Sequence, residues 1–111
     1  MTFQESIQVC FKKYADFNGR ASRSEYWWFA LFAFLVSILL SASGAGLISG
    51  LFSLATLVPS LAVGVRRLHD LGKSGWFLLI ALIPLIGALI LIYWFIQPST
   101  DSNQFGEPAE G

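Results

Sequence analysis

The sequence predicts an all-α integral membrane protein: three transmembrane helices, preceded by an N-terminal amphipathic helix at the interface. Two observations carry that class. The first is the scarcity and segregation of charge. Of the 111 residues, 55% are hydrophobic and 13% are charged, whereas a soluble domain is nearer one quarter charged. The 40 residues from Tyr26 to Val65 contain no Asp, Glu, Lys, Arg or His, and neither do the 27 from Ser74 to Thr100. A spanning helix needs roughly 20 mostly apolar residues, so the first block holds two passes and the second holds one. A soluble bundle would have to hide this apolar surface behind very little polar surface, which a small domain cannot do. The second observation is the placement of the seven basic residues. Lys12, Lys13, Arg20 and Arg23 precede the first pass, and Arg66, Arg67 and Lys73 lie between the second and third. A three-pass path puts all seven on one side, which the positive-inside rule makes cytoplasmic.

The elements follow in order within one membrane unit, residues 1–111. Residues 2–18 read as the amphipathic helix. Phe3, Ile7, Phe11, Tyr14 and Phe17 recur at helical spacing, with Glu5, Gln8, Lys12, Lys13 and Asp16 mostly opposite. This face suits either the bilayer interface or the protein's own spanning helices. Asn18-Gly19 ends it. Ser22 and Glu25 have capping-box spacing and start the next helix. Tyr26, Trp27 and Trp28 then fall at headgroup depth.

The first span covers residues 26–42 and the second 47–65, with small residues between them. Gly46 and Gly50 form one G-x-x-x-G pair, a weak signal for close helix approach. Pro59 cannot donate to the Ala55 carbonyl, which then needs another partner in a kinked, packed helix. The third span covers residues 76–96. Trp76 and Trp94 are 18 residues apart, roughly 27 Å along a helix, so their rings reach both interfaces. Pro84 and Gly87 interrupt it, and Pro98 stops it. The polar tail, 97–111, holds Asp101, Glu107 and Glu110 and no basic residue. By charge counting the N-terminus is cytoplasmic and the tail faces outward; a re-entrant third segment would return it to the inside.

The loop Arg66-Arg67-Leu68-His69-Asp70-Leu71-Gly72-Lys73-Ser74-Gly75-Trp76 is the densest motif. Its chemistry is narrow. Gly72-Lys73-Ser74 would end a phosphate-binding loop, but Arg67 stands where the first glycine belongs. His69 and Asp70 are too few ligands for a metal, and there is no other histidine. Ser74 and His69 lack a third orienting group. Cys10 is the only cysteine, which rules out an internal disulfide. Net charge is zero, so nothing favours nucleic acid. No cofactor and no catalytic residue is expected.

Three readings of the loop remain. In the structural one, Arg66 pairs with Asp70 one turn on, Gly72 stops the helix, and Ser74 caps the next. In the docking one, Arg20, Arg23, Arg66, Arg67 and Lys73, with His69 and Asp70, form a basic patch for anionic lipid headgroups or a partner protein. In the third, Asp70 or Glu25 pairs with an arginine of the other segment and locks the helices.

At these residues the chain resembles the small bacterial inner-membrane proteins classed as domain of unknown function 805. The resemblance rests on Phe17 to Phe29 (FNGRASRSEYWWF), on Pro59, and on Arg66-Arg67-Leu68-His69-Asp70 with Lys73-Ser74-Gly75-Trp76. Pro84-Leu85-Ile86-Gly87 and Asn103 to Pro108 complete it. It implies a multi-pass bacterial inner-membrane protein of a few helices with no established activity. It also makes Asn103, Phe105, Gly106 and Pro108 part of the motif, which implies a tail folded back on the protein. The expected role is a non-enzymatic membrane component docking lipids or a partner. The partners expected are anionic lipids, a membrane protein or a second copy of the chain. The alternative is a small oligomeric transporter or channel component.

Overall fold

The structure is a computed structural model that describes residues 1–109. Among these residues there are five helices and no strand: α1 (Phe3–Lys12), α2 (Arg23–Ala42), α3 (Gly46–Asp70), a 3₁₀ helix (Gly75–Leu82) and α4 (Ile86–Phe95). Two of them, α2 and α3, are long and apolar enough to cross a membrane. Their apolar residues are not a soluble core. Leu39, Leu47 and Leu54 are 68%, 79% and 68% exposed, a surface that water does not tolerate at this extent.

α1 starts with a capping box that the sequence reading did not identify. Thr2 Oγ1 accepts from the Glu5 amide at 3.2 Å, and Glu5 Oε1 accepts from the Thr2 amide at 3.0 Å. The helix is shorter than the expected 2–18. After Lys12 the chain leaves helical geometry, so that Tyr14 reaches α3 and the Asp16 carbonyl reaches Arg66. The aromatic face of α1 packs on α2. Phe3 meets Trp28 edge-on at 5.7 Å, and Phe11 meets Phe29 at 5.6 Å. Phe3, Phe11, Tyr14 and Phe17 are still 38–41% exposed, so the same face is half free.

α2 begins at Arg23, three residues before the expected span, because Ser22 caps it: its oxygen accepts from the Glu25 amide at 3.2 Å. α3 runs five residues beyond the expected Val65, through Arg66 to Asp70. It ends in a Schellman turn. The Gly72 amide donates to His69 O at 2.9 Å and the Lys73 amide to Leu68 O at 2.9 Å. Gly72 takes φ +75°, which an L side chain resists. Pro59 sits inside α3, and the Ala55 carbonyl it leaves unbonded accepts from the Tyr14 hydroxyl.

The expectation of one helix over 76–96 is corrected. The chain breaks at Ile83-Pro84-Leu85 and doubles back. Leu85 takes φ +63° and ψ −60°, and the Ile86 amide donates to Pro84 O at 2.7 Å, which is a tight and strained γ-turn. The arms then close. A Cβ on Gly87 would lie 1.8 Å from Ile80 O, so only glycine fits there. The 3₁₀ arm lies along α3, where a Cβ on Gly75 would lie 2.6 Å from Val65 Cγ1 and a Cβ on Gly64 would be 3.4 Å from Leu78. At the open end Lys73 Nζ sits 4.7 Å over the Trp94 ring, and Phe77 meets Trp94 at 5.9 Å. Both ends of the hairpin therefore lie beside the C-terminal end of α3. Each arm is about 15 Å long, from eight residues at 3₁₀ rise or ten at α rise.

Candidate functional site

Six residues of the two polar segments, Arg20, Glu25, Arg66, Arg67, His69 and Asp70, are brought together and buried. Arg66 and Arg67 are fully buried, as is Asp70; Arg20, Glu25 and His69 are at most 8% exposed. Isolated charges at such depth would be prohibitively costly, and each one is paired. Two ion-pair groups result.

In the first, Arg66 pairs with the Glu25 carboxylate. Its Nε donates to Asp16 O at 3.1 Å, and its carbonyl accepts from the Ala21 amide at 2.9 Å. The expected Arg66–Asp70 pair does not form, because α3 turns Arg66 toward α2. The capping box at Ser22 is likewise only half made: Glu25 gives its carboxylate to Arg66 instead of reaching back to the Ser22 amide. The Glu25 carbonyl accepts from Ser6 Oγ at 2.5 Å, which fastens α1 to the same point. Cys10 Sγ lies 4.0 Å from Glu25 Oε2. Burial, reinforced by the Glu25 charge, pushes the Cys10 thiol up to about 11.

In the second, Asp70 stands between two arginines. Oδ1 accepts from Arg20 Nε at 2.8 Å, and Oδ2 accepts from Arg67 Nη1 at 2.9 Å. Ser99 Oγ adds a bond to Oδ2 at 2.5 Å, and the Ala109 amide one to Oδ1 at 3.1 Å. The arginines spend their other donors on backbone carbonyls. Arg20 bonds Asp70 O at 2.8 Å, Thr100 O at 2.7 Å, Gly106 O at 2.8 Å and Asp101 O at 3.1 Å. Arg67 bonds Phe95 O at 3.1 Å and also Gln97 O. Planar guanidinium groups with five donors suit this work better than lysine would. The tail is thus held down wherever the structure describes it.

His69 joins the same assembly. A carbonyl can only accept, so Nδ1 donates to Gly19 O, at 2.9 Å. Gly19 takes φ +86° to present that carbonyl; it shapes this turn and does not end α1. One face of the imidazole stacks on Phe105, 3.8 Å away and 4° from parallel. The His69 carbonyl accepts from Asn103 Nδ2 at 3.1 Å. His69 is the joint between the first polar segment, α3 and the tail.

The remaining motif residues lie around this core. Ser74 caps the 3₁₀ helix by accepting from the Trp76 amide at 3.3 Å. Trp27 Nε1 donates to Phe95 O at 3.0 Å, so its ring braces α4 and does not simply float at headgroup depth. Arg23 is exposed, with Nη1 3.4 Å from Ile96 O, and Trp76 is 79% exposed. Of the three readings of the loop, the geometry is that of the lock. The sequence reading placed the partners in the right segments but missed Ser99, Thr100 and the tail carbonyls, whose only signal was the family-like tail motif.

The family model described as "Protein of unknown function (DUF805)" matches residues 14–107. Inner membrane protein YhaH of Escherichia coli strain K12 is 40% identical over 106 residues, covering 86% of this chain and 88% of its own length. Inner membrane protein YhaI of the same strain is 39% identical over 102 residues, covering 86% of each. The uncharacterized protein YiiR of that strain is 38% identical over 65 residues, 54% of this chain and 44% of its own. No solved structure matches. The matched region contains both ion-pair groups and most of the tail that closes them, and the chain belongs to the DUF805 family of proteins of unknown function.

Proposed function

We propose that this protein is a non-enzymatic component of the bacterial inner membrane. It crosses twice, through α2 and α3, and inserts the 3₁₀–α4 hairpin from the cytoplasmic side. Its N-terminus and tail are both cytoplasmic. The location is supported by the names of YhaH and YhaI. The hairpin depth is supported by the arm length, about half of the roughly 30 Å hydrocarbon core. The observation that carries the topology is the grip of Arg20 on Asp70 and on the Thr100, Asp101 and Gly106 carbonyls. Groups in such contact share one side of any bilayer. All seven basic residues then lie on that side, in keeping with the positive-inside rule.

The cytoplasmic face docks anionic headgroups or a membrane partner. The buried arginines fix the shape of that face, and contact falls to its exposed cations, Lys12, Lys13 and Arg23. The half-exposed aromatic side of α1 lies at the interface beside them. Reporter fusions test the topology: a C-terminal fluorescent protein should glow and a C-terminal phosphatase should be silent. An active phosphatase sinks the arrangement. For docking, Lys12→Glu with Lys13→Glu should cut the anionic lipid that co-purifies in mild detergent, with folding intact. Undiminished lipid would remove these residues from the reading.

A further inference from the structure

The hairpin, α3 and the start of α2 line a half-open cavity of about 940 Å³. Its walls are apolar: Leu61, Leu78, Leu91 and Phe95 are among them, and no Asp, Glu, Lys or Arg lines it. Four polar residues do line it: Tyr26, Ser60, His69 and Ser74. Two of them have hydroxyls that no described group bonds, those of Tyr26 and Ser60. His69 carries a third unused polar atom. With Nδ1 committed as donor to Gly19 O, the neutral ring keeps a lone pair on Nε2, and no described group uses it. An apolar pocket of this size with a few unused polar groups is the usual form of a small-molecule site.

We infer that this cavity binds a neutral, hydroxyl-bearing lipid of the diacylglycerol class. Charge selects against the alternatives. No Arg or Lys lines the cavity, so a fatty-acid carboxylate or a phosphate would enter without a counter-charge in contact. The Nε2 lone pair needs a donor, which a lipid O–H supplies and a quinone or a triacylglycerol does not. Ester carbonyls match the other polar requirement, since the Tyr26 and Ser60 hydroxyls can donate to them. Ser60 and His69 are nine residues apart on α3, about 13 Å along the axis, which separates a head near His69 from glycerol esters and chains deeper in. The chains leave past Leu61, Trp76, Leu79 and Leu82, which are 42%, 79%, 55% and 78% exposed. The site is distinct from the docking face proposed above and does not depend on it.

The test is native mass spectrometry of the full chain in mild detergent, titrated with dioleoylglycerol, its 3-acetyl derivative, oleate or dioleoyl phosphatidic acid. A one-to-one dioleoylglycerol adduct is expected, with Ala88→Trp-sensitive binding of the other three at least tenfold weaker. Tyr26→Phe removes a hydroxyl with no protein partner, so the fold stays, and affinity should fall about three- to tenfold. Ala88→Trp fills the cavity from α4 and should abolish the adduct. Circular dichroism and melting report whether each variant folds; if Ala88→Trp does not, Tyr26→Phe alone decides. Equal Ala88→Trp-sensitive binding of the acetylated or anionic lipids, or wild-type affinity in Tyr26→Phe, overturns the assignment.

Discussion

Tyr14 donates its hydroxyl to the Ala55 carbonyl, the group that Pro59 leaves without its helical partner. A bare carbonyl at that depth would be costly in lipid, and a residue 41 positions earlier removes the problem. The proline and the tyrosine are therefore one device. Tyr14→Phe should lower stability by about 0.5–1.5 kcal/mol. In a Pro59→Ala background the new amide reaches Ala55 O, and the tyrosine change should then cost much less. A double-mutant cycle on unfolding in micelles measures this coupling; additive costs would show that the two residues act separately.

Asp70→Asn removes the charge between two buried guanidiniums. Breaking a buried pair in this way costs about 3–5 kcal/mol. Loss of membrane accumulation and protease cleavage within residues 99–109 are expected, since Ser99 and Ala109 bond the Asp70 carboxylate. A cheaper change, Phe105→Ala, should free the tail to protease and leave α2 and α3 folded.

Glycines separate by what surrounds them. Gly87→Ala must push the hairpin arms apart, and overpacking of this kind costs about 1–3 kcal/mol or more. Gly75→Ala meets Val65 and should be destabilising too. Nothing lies within 4 Å of a Cβ on Gly46 or Gly50, so alanine there should be neutral or slightly stabilising by helix propensity. Melting temperatures of the four variants in one detergent give the order.

The Cys10 thiol should resist alkylation. With its value pushed up to about 11 from 9.0, about one thiol in a thousand is ionised at pH 8, against about one in ten unshifted, and the thiolate is what reacts. Reactivity toward iodoacetamide should keep rising with pH and level off only beyond about 11 while the fold holds. Denaturant should restore the ordinary rate. Rapid labelling of the folded protein at pH 8 would contradict the buried position of Cys10.

The two long helices could be read from the chain because length and absence of charge suffice for them. The need of Ala55 for a partner could be read too, since a proline fixes which carbonyl loses its bond. The hairpin stood only as the re-entrant alternative, although Pro84 and Gly87 mark the break. Trp76 and Trp94 stand at a bilayer's spacing on a straight helix, and that coincidence outweighed two breakers. Pairing within the lock was legible only as one of three readings, with the segments given and the partners left open. Arg20 and Asp70 are 50 residues apart, and Glu25 and Arg66 are 41 apart, so no local periodicity selects one partner. Tail carbonyls are invisible to residue chemistry altogether: what Arg20 grips is backbone, and any sequence there would offer it.

Arg20 and Arg67 lie early and midway along the chain, and the groups that satisfy them come last. Phe95, Gln97, Thr100, Asp101 and Gly106 are made after both helices that carry the charges. During synthesis α2 and α3 can enter the bilayer while their guanidiniums still face water. Those acceptors exist only once residues 95–106 have been made, so a nascent chain stalled before residue 100 should leave the Arg20 and Arg67 guanidiniums open to water.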